Sequence, residues 1–218
     1  LAHEVRNPLA AINYSVQLLA ESPDLPESDR RLVEIIHQQC QRTNGIIESV
    51  LGLARRERAM GEQLELVAYV RRFVDEFTRT MSPENGSLRA AGRDRPLPGV
   101  FDPGHLHQVL TSLVQNAINY GRLPGEPARI TVAAEERDGR PVVEVTDRGP
   151  GVPDAIASQL GRPFFTTSEH GTGLGLYIAR ELCRSNGASL DYVPVPAGGA
   201  CFRITLAARN PLLAGGSP

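Results

Sequence analysis

The sequence predicts an α+β protein, in which a helical hairpin precedes a layer of short strands and helices. In the first part of the chain, apolar residues recur at alternating steps of four and three, which is typical of one helical face. After Glu62 the pattern changes to short apolar runs between turn residues, and two of these runs flank Asp138-Gly139 as in a β-hairpin. We expect three segments: a helical hairpin over residues 1–60, a second domain over 61–210 and a frayed tail over 211–218.

The composition predicts a soluble, folded chain. The 218 residues are 41% hydrophobic and carry a net charge of −2, which gives no reason to expect nucleic acid or a membrane surface as a partner. There is no signal peptide and no apolar run of the roughly 18 residues that a membrane span needs. All 23 basic residues are arginine, which excludes catalysis by a lysine amine. The three cysteines lie too far apart in the sequence for a zinc site.

The predicted hairpin leaves apolar surface for a second copy of the chain. The first helix has its stripe at Val5, Leu9, Ile12, Val16 and Leu19. Prolines and a Ser/Asp cluster then predict a turn, and the stripe resumes at Leu32 and Ile36 and runs on to Leu53. Because two such helices bury only one side of each other, we expect a homodimer whose four helices form a bundle.

The second domain is expected to be a mixed sheet with helices on one face. The predicted strands are 64–67, 86–91, 100–101, 130–134, 141–146, 189–195 and 201–207, and the predicted helices are 70–77, 105–120 and 173–183.

Two glycine-containing motifs point to a ligand site. Asp147 follows an apolar strand, where it can accept a hydrogen bond from an amine, and Gly149 and Gly151 let the backbone approach a ligand. The segment Gly171–Gly175 precedes a helix, whose N–H groups can hold phosphate oxygens. It is not in the βαβ context of a dinucleotide fingerprint. Taken alone, its glycines are equally well explained as an ordinary helix-opening loop.

Two helices carry further candidates. Asn116 and Asn119 lie three residues apart on one helical face and need either polar partners or solvent. His3 and Asn7 share a face of the first helix that is separate from its apolar stripe, so His3 is available to a partner. An exposed histidine without a function is the simpler interpretation of that position. Pro8 predicts a kink beside it.

The order of these motifs resembles that of the sensor histidine kinases of two-component systems, over essentially the whole chain. The sequence reads His-Glu-x-x-Asn-Pro, an Asn-bearing helix, Asp-x-Gly-x-Gly, Pro-Phe-Phe-Thr-Thr and Gly-Thr-Gly-Leu-Gly-Leu. The stretches HEVRNPLAAI, RELCRSNGASLDY and GGACFRITL are similar to the type IV pilus sensor kinases, in the subgroup of the nitrogen-regulation sensors. The resemblance implies that 61–210 is an α/β-sandwich ATP-binding domain of the gyrase, chaperone and histidine kinase type.

The resemblance also implies roles for single residues. His3 would be the phosphoacceptor, Glu4 the acid that holds and deprotonates its ring, and Asn7 the residue that orients water for dephosphorylating a partner. Asn116 would bind Mg²⁺, and Asp147 would accept the adenine amino group. The implied ATP-binding set is Asn116, Asn119, Tyr120, Asp147, Gly149, Gly151, Val152, Thr166, Thr167, Gly171, Thr172, Gly173, Leu174 and Gly175.

Three positions depart from the family pattern. Ser112 stands where a second Asn is usual, and Asn119 and His170 stand where cations commonly reach the phosphates. Arg162 is the candidate substitute. We therefore expect weak ATP affinity or low kinase activity.

Two other classes of protein share parts of this pattern but fit it less well than a kinase does. The gyrase, mismatch-repair and chaperone ATPases need a carboxylate in the Asn-bearing helix, where this chain has Ser112. A degenerate dimerisation or phosphatase module is disfavoured because His3 and the glycine motifs are intact.

The resemblance implies a response-regulator receiver domain as partner, with the regulator an enhancer-binding transcription activator. Because the helix of His3 should begin upstream of the chain, we expect a cytoplasmic segment of a membrane-anchored bacterial sensor.

Overall fold

The computed structural model describes most of the second domain and parts of the first. It covers residues 2–22, 25–26, 28–37, 39–40, 43, 59–168, 171–196 and 198–207, with the side chains of residues 2–7 and 83 excepted. These residues fall into two compact units, one comprising those up to Arg56 with Gly161–Ile178, the other those of Glu57–Leu160 and Ala179–Pro218. Among the described residues, no helix combines the length and the apolar character needed to cross a membrane.

The first unit contains two helices, the second of which has both buried and exposed apolar residues. Helix α1 spans Ala2–Ala20, and α2 is helical at 28–37 and again at 39–40 and 43. Val33 and Cys40 of α2 are buried, whereas Leu32 and Ile36 are 57% and 45% exposed in the single chain. Leu32 and Ile36 belong to the apolar stripe predicted for this helix, here called the seam. The seam is therefore a face of α2 next to the face that is buried within the protomer. The predicted seam positions 46, 50 and 53 lie outside the described residues.

A five-stranded mixed sheet organises the second unit. The strands, with β1 and β3 forming a separate antiparallel ribbon, are β1 Glu62–Glu65, β2 Gly86–Gly92, β3 Pro98–Phe101, β4 Ala128–Arg137, β5 Arg140–Thr146, β6 Ser189–Pro194 and β7 Ala200–Thr205. The sheet order is β2-β4-β5-β7-β6, with β2 and β4 parallel and the other pairs antiparallel. The predicted β4–β5 hairpin is confirmed: Asp138 and Gly139 both have positive φ, 52° and 71°, as its two-residue turn requires.

Helices α3 Leu66–Thr80 and α4 Pro103–Tyr120 pack against this sheet. The remaining helices are α5 Asp154–Ala157 and α6 Gly175–Ser185, and the first turn of α6 belongs to the first unit. Both α3 and α4 contact the sheet, and the β4 residues Ile130 and Val132 are almost fully buried, while Arg129 on the alternate side is exposed. Side chains such as Phe73 of α3 and Leu110 of α4 complete the core. The predicted α+β class, with a mixed sheet and helices, is confirmed.

The start of α3 corrects the predicted strand 64–67. Strand β1 ends at Glu65, because its side chain accepts hydrogen bonds from the amides of Val67 and Ala68 at 3.1 and 2.7 Å and so caps the helix. The same carboxylate accepts a hydrogen bond from the amide of Leu97 at 2.9 Å. Leu66 and Val67 therefore belong to the first turn of α3 and contribute to the core as helical residues.

Candidate functional site

Asp147 lies at the end of β5 with its carboxylate almost fully buried, only 6% of the residue being exposed. One oxygen, Oδ1, accepts hydrogen bonds from the amides of Gly149 at 2.9 Å and Ala200 at 3.1 Å. The other oxygen, Oδ2, has no hydrogen-bond partner among the described residues. The side chain is thus held in place through one oxygen, and the second is left to accept a hydrogen bond from a ligand.

The electrostatics of Asp147 follow from its burial. Loss of solvent raises the pKa of this carboxyl group, and the amides of Gly149 and Ala200 only partly offset that rise. Arg148 beside it is exposed and makes no ion pair with a described residue. Among the described residues, two backbone amides are what compensates the negative charge of Asp147. An N–H group of a ligand would therefore meet a charged hydrogen-bond acceptor.

Three glycines make room for Asp147. A Cβ on Gly121, at the end of α4, would lie 2.4 Å from Asp147 Cγ, and a Cβ on Gly199 would lie 2.2 Å from the Asp147 carbonyl oxygen. A Cβ on Gly149 would lie 2.5 Å from the carbonyl carbon of Gly121. Any side chain at these positions would displace the backbone around the carboxylate. Of these three glycines the sequence predicts only Gly149. The available signals for the other two are the Gly198-Gly199 pair before β7 and the glycine that ends α4.

A cleft of about 450 Å³ opens beside this carboxylate. It is lined by Gly121–Leu123 of the α4–β4 connection, by Thr146 and Asp147 of β5, and by Val195 before β7. Gly151, which the sequence predicted as a site residue, has φ +80° and a Cβ there would lie 3.0 Å from the carbonyl oxygen of Gly199. Val152 next to it is half-buried. The Asp-x-Gly-x-Gly motif thus forms a tight turn around one buried acceptor.

Helix α4 places the predicted Asn residues on the same unit as Asp147. Asn116 lies five residues before Gly121, is half-buried, and makes no hydrogen bond with a described residue. Asn119 Oδ1 instead accepts a hydrogen bond from Gln115 Nε2 at 3.3 Å, and Tyr120 is 44% exposed. The amide oxygen of Asn116 is therefore the one free for a ligand.

The described side chains can supply only part of the ligands that a magnesium ion needs. No three His, Cys, Asp or Glu side chains among the described residues are grouped closely enough to hold a metal. A hard cation that also takes oxygens from a triphosphate and from water needs only one or two protein oxygens, and Asn116 can supply one. The residues present therefore suit a metal that arrives with a phosphate ligand.

The other predicted phosphate-binding residues belong to the first unit, where the segment before α6 is folded on itself. Gly173 has φ +67°, and a Cβ there would lie 2.4 Å from the carbonyl carbon of Phe164, which itself has the unusual φ of +63°. Thr172 Oγ1 accepts a hydrogen bond from the amide of Leu174 at 3.3 Å. Because this turn precedes the helix, α6 begins at Gly175 and not at Gly173 as predicted.

The amides of the first turn of α6 have no partner within the helix, as at any helix start, and can hold an anion. Thr166 Oγ1 accepts a hydrogen bond from the amide of Ser168 at 3.1 Å, and Thr167 is exposed. Gly171 donates its amide to the carbonyl of Ser168 at 3.2 Å. His170 lies outside the described residues.

The predicted phosphoacceptor lies on helical backbone. His3, Glu4 and Asn7 all belong to the first two turns of α1, and their side chains lie outside the described part of the chain. Residues four apart on a helix share a face, which is the relation of His3 to Asn7.

Two family models match the chain. One, described as "Histidine kinase-, DNA gyrase B-, and HSP90-like ATPase", matches residues 101–210. The other, described as "His Kinase A (phospho-acceptor) domain", matches residues 1–59. The first contains Asn116, Asp147 and the glycine-rich segment, and the second contains His3.

Curated relatives and solved structures agree with these matches. The sensor protein kinase PilS of Pseudomonas aeruginosa is 45% identical over 210 residues, which are 95% of this chain and 39% of PilS. Sporulation kinase E of Bacillus subtilis is 29% identical over 96% of this chain and 28% of its own length. This chain therefore spans well under half the length of these relatives.

Among solved structures, full-length ShkA in complex with AMPPNP superposes with a TM-score of 0.68 at 25% identity, over 94% of this chain and 44% of ShkA. The histidine kinase ThkA in complex with the response regulator protein TrrA gives a TM-score of 0.67 at 25% identity, over 95% of this chain and 60% of ThkA.

Proposed function

The chain belongs to the histidine kinase-, DNA gyrase B- and HSP90-like ATPase family, and on that premise we propose that it is the kinase core of a type IV pilus sensor histidine kinase. One observation carries this proposal: a phosphoacceptor domain match over residues 1–59 precedes the ATPase-type match over 101–210 in the same chain. The gyrase and chaperone branches of the family transfer the γ-phosphoryl group to water, whereas a phosphoacceptor histidine supplies a protein nucleophile.

In the proposed reaction, Asp147 recognises the base of ATP. Its free Oδ2 accepts a hydrogen bond from the adenine amino group, and its Oδ1 stays anchored to Gly149 and Ala200. Val152 lies against the ring. The Gly171–Gly175 loop holds the phosphates through the amides that open α6, since the amides of Gly171 and Leu174 already donate within the loop segment. The ShkA structure with AMPPNP supports a nucleotide ligand for this fold.

The metal proposed for the reaction is Mg²⁺. Asn116 would supply one of its oxygen ligands, since this amide makes no hydrogen bond with another described residue. When bound there, the ion would supply charge neutralisation at the triphosphate oxygens. Arg162 is the proposed cation in place of those that the family commonly has at the positions of Asn119 and His170.

The group transfer itself takes place at His3. A neutral ring nitrogen of His3 attacks the γ-phosphorus, the bond to the bridging oxygen breaks, and ADP leaves. Glu4 accepts the proton from the other ring nitrogen or holds it by a hydrogen bond, which keeps the attacking nitrogen unprotonated. The phosphoryl group then passes to an aspartate of a response-regulator receiver domain, and Asn7 orients the water that later removes it.

The partners proposed are a second copy of this chain and a response regulator. The exposed apolar side of α2, with Leu32 and Ile36, favours a homodimer in which four helices bury it. The ThkA structure with TrrA supports a regulator as the second partner. We place this core on the cytoplasmic side of the bacterial inner membrane, because ATP and the regulator are found there.

Labelling with γ-³²P-ATP tests the proposed activity. The wild-type chain should acquire phosphate that is labile in acid and stable in base, as a phosphoramidate is, and His3→Gln should acquire none. Base-labile label would indicate an acyl phosphate or an ester and contradict the assignment of His3. Label that persists in His3→Gln would contradict it as well.

A further inference from the structure

Asp102, the residue that caps the start of α4, forms hydrogen bonds with two other parts of the chain. The carboxylate oxygen Oδ1 accepts a hydrogen bond from the amide of His105 at 3.0 Å, which is the ordinary work of a helix cap. The second oxygen, Oδ2, accepts a hydrogen bond from the amide of Met60 at 3.1 Å. Met60 lies in the segment that leads from residues 1–59 into β1, 42 residues earlier in the chain.

Asn186, just beyond the end of α6, completes this cluster. Its Oδ1 accepts a hydrogen bond from the amide of Asp102 at 2.8 Å, and its Nδ2 donates to the carbonyl of Leu182 at 2.8 Å. These two backbone partners determine which way the amide points. The second Nδ2 hydrogen faces His105 Nδ1 at 3.1 Å, so this ring nitrogen is the acceptor. The end of α6 and the start of α4 are thereby tied together.

A helix cap alone does not need the contact with Met60. One acceptor oxygen caps a helix, and Asp102 uses Oδ1 for that purpose. The side chain of Met60 is 75% exposed, so its apolar surface does not hold the segment in place. Burial raises the pKa of the Asp102 carboxyl group, but the amides of His105, Met60 and Gly104 and the His105 ring outweigh that effect and lower it. The carboxylate therefore stays charged and binds both amides at neutral pH.

We propose that Asp102 is a positioning residue for phosphoryl transfer: its Oδ2 holds the segment arriving from residues 1–59 at the start of the helix that carries Asn116. This role rests on the proposed function. The acceptor His3 and Asn116 lie on opposite sides of that segment in the sequence, so the direction in which the segment enters β1 affects how the acceptor approaches the nucleotide. Small errors of position reduce the rate of a transfer step strongly without weakening binding of the substrate.

Two substitutions remove the contact from its two sides. Asp102→Asn keeps one acceptor oxygen but turns an N–H₂ group toward one of the two amides. Met60→Pro removes the donor N–H and leaves Asp102 and the cap of α4 unchanged. The matched control is Met60→Ala, which shortens the exposed side chain and keeps the N–H. The measurements, on the 218-residue chain, are the autophosphorylation rate at saturating ATP, the ATP dissociation constant and the melting temperature.

The expected result is a loss of rate of about tenfold in Asp102→Asn and Met60→Pro, the worth of one hydrogen bond to a charged group. The ATP dissociation constant should stay within about twofold of the wild-type value in both, and Met60→Ala should behave as wild type. The double variant should be no slower than the slower single one, because both changes remove the same contact.

Wild-type rates in both single variants would overturn the positioning role and leave the proposed function standing. A weaker ATP affinity that accounts for the whole loss of rate would overturn it too, since the contact would then act on the nucleotide site. If the wild-type chain itself acquires no phosphate, the proposed function is wrong, and the positioning role is refuted with it.

Discussion

Asp147 combines a structural role with the proposed recognition of adenine in one side chain. A buried carboxylate is costly unless hydrogen bonds compensate it, and here two amides do so on one oxygen only. Because the pKa of Asp147 is raised in the folded state, its ionisation costs stability as the pH rises through the interval between the unfolded and folded values. The free protein therefore holds this charge at a cost, which a ligand amino group would reduce.

Asp147→Asn should separate these two tasks. The Asn side chain keeps one oxygen for Gly149 and Ala200 but presents N–H₂ in place of Oδ2, opposite the N–H₂ of adenine. We expect ATP affinity to fall about tenfold or more. The melting temperature of the free protein should stay the same or rise, because the buried charge is gone. Calorimetry with ATP and differential scanning fluorimetry check the two expectations.

The matched control for this variant is Asp154→Asn, at an exposed position outside the cleft, which should leave ATP affinity unchanged. The wild-type protein should bind ATP in preference to GTP, since the guanine carbonyl oxygen would face an acceptor. Equal affinity for the two nucleotides would contradict the role of Asp147.

His3 and Asn7 should serve different reactions. His3→Gln should abolish autophosphorylation, because the nucleophile is absent, and Glu4→Gln should reduce it strongly. Asn7→Ala should lose most of the phosphatase activity toward the regulator and keep most of the kinase activity, because Asn7 positions water rather than the acceptor. The measurement is phosphoryl transfer and decay with purified regulator, variant by variant.

Pro8→Ala controls for the geometry of α1 in that experiment, since it restores a backbone donor without touching the proposed water site. An Asn7→Ala protein that keeps its phosphatase activity and loses its kinase activity would contradict this division of work.

At the scale of elements, α3 depends on an unusual cap. Glu65 is longer than the residues preferred at this position, yet it binds the amides of Val67 and Ala68 and reaches across to Leu97. Burial by itself raises the pKa of Glu65, but these amides outweigh it and hold the pKa of the carboxyl group below its ordinary value. The contribution to stability is complete above the unfolded value and is lost as the pH falls through the folded one.

Glu65→Ala should lower the free energy of unfolding by about 1–2 kcal/mol at neutral pH, because three amides lose their acceptor. Glu62→Ala, at an exposed position of the same strand, is the control and should have little effect. Chemical denaturation over a range of pH measures both. The deficit of Glu65→Ala should shrink toward acid pH, and a deficit that grows there would show that the charge of Glu65 is not responsible.

The exposed side of α2 should carry the dimer. Ile36→Asp places a charge where the proposed bundle is apolar, so sedimentation velocity should show a shift from dimer to monomer at the same concentration. The protomer should remain folded, since Ile36 is 45% exposed within it. Glu34→Ala, at an exposed polar position two residues from both Leu32 and Ile36 and therefore on another face of the helix, should leave the dimer intact. A wild-type chain that stays monomeric at every concentration would contradict the bundle.

Most elements could be predicted from periodicity, and the exceptions have physical reasons. Helix α4 and the β4–β5 hairpin follow from their apolar patterns and from Asp138-Gly139. Helix α5, Asp154–Ala157, has four residues and is too short to show a helical period. The strand predicted over 64–67 was wrong in its second half, because the apolar residues on both sides of Glu65 show no change of pattern and only the cap formed by Glu65 marks the boundary.

At the scale of the whole molecule, the site joins residues that are remote in sequence. Asp147 binds the amide of Ala200 from 53 positions away and needs the space left by Gly121 and Gly199. The sequence identifies Asp147 and Gly149 because they form one local motif. It does not identify Gly121 and Gly199, since their requirement for a bare backbone arises only when three separate segments meet in the fold.

The central claim concerns the destination of one phosphoryl group. In the gyrase-type and chaperone-type branches of the family the acceptor is water, and the helix that carries Asn116 would need a carboxylate to activate it. Ser112 occupies that position here, and a hydroxyl group is too weak a base for that task. The other possible acceptor of the phosphoryl group is His3, which lies within the residues that match the phosphoacceptor domain.

A single-turnover experiment tests this claim most directly. The chain, in excess over γ-³²P-ATP and with Mg²⁺, is quenched at intervals, and the label is divided between protein and inorganic phosphate. We expect the label to appear first on the wild-type protein and not at all on His3→Gln, in which ATP should remain uncleaved. Inorganic phosphate formed at the same rate by the wild-type protein and by His3→Gln would contradict it, because the chain would then be an ATPase.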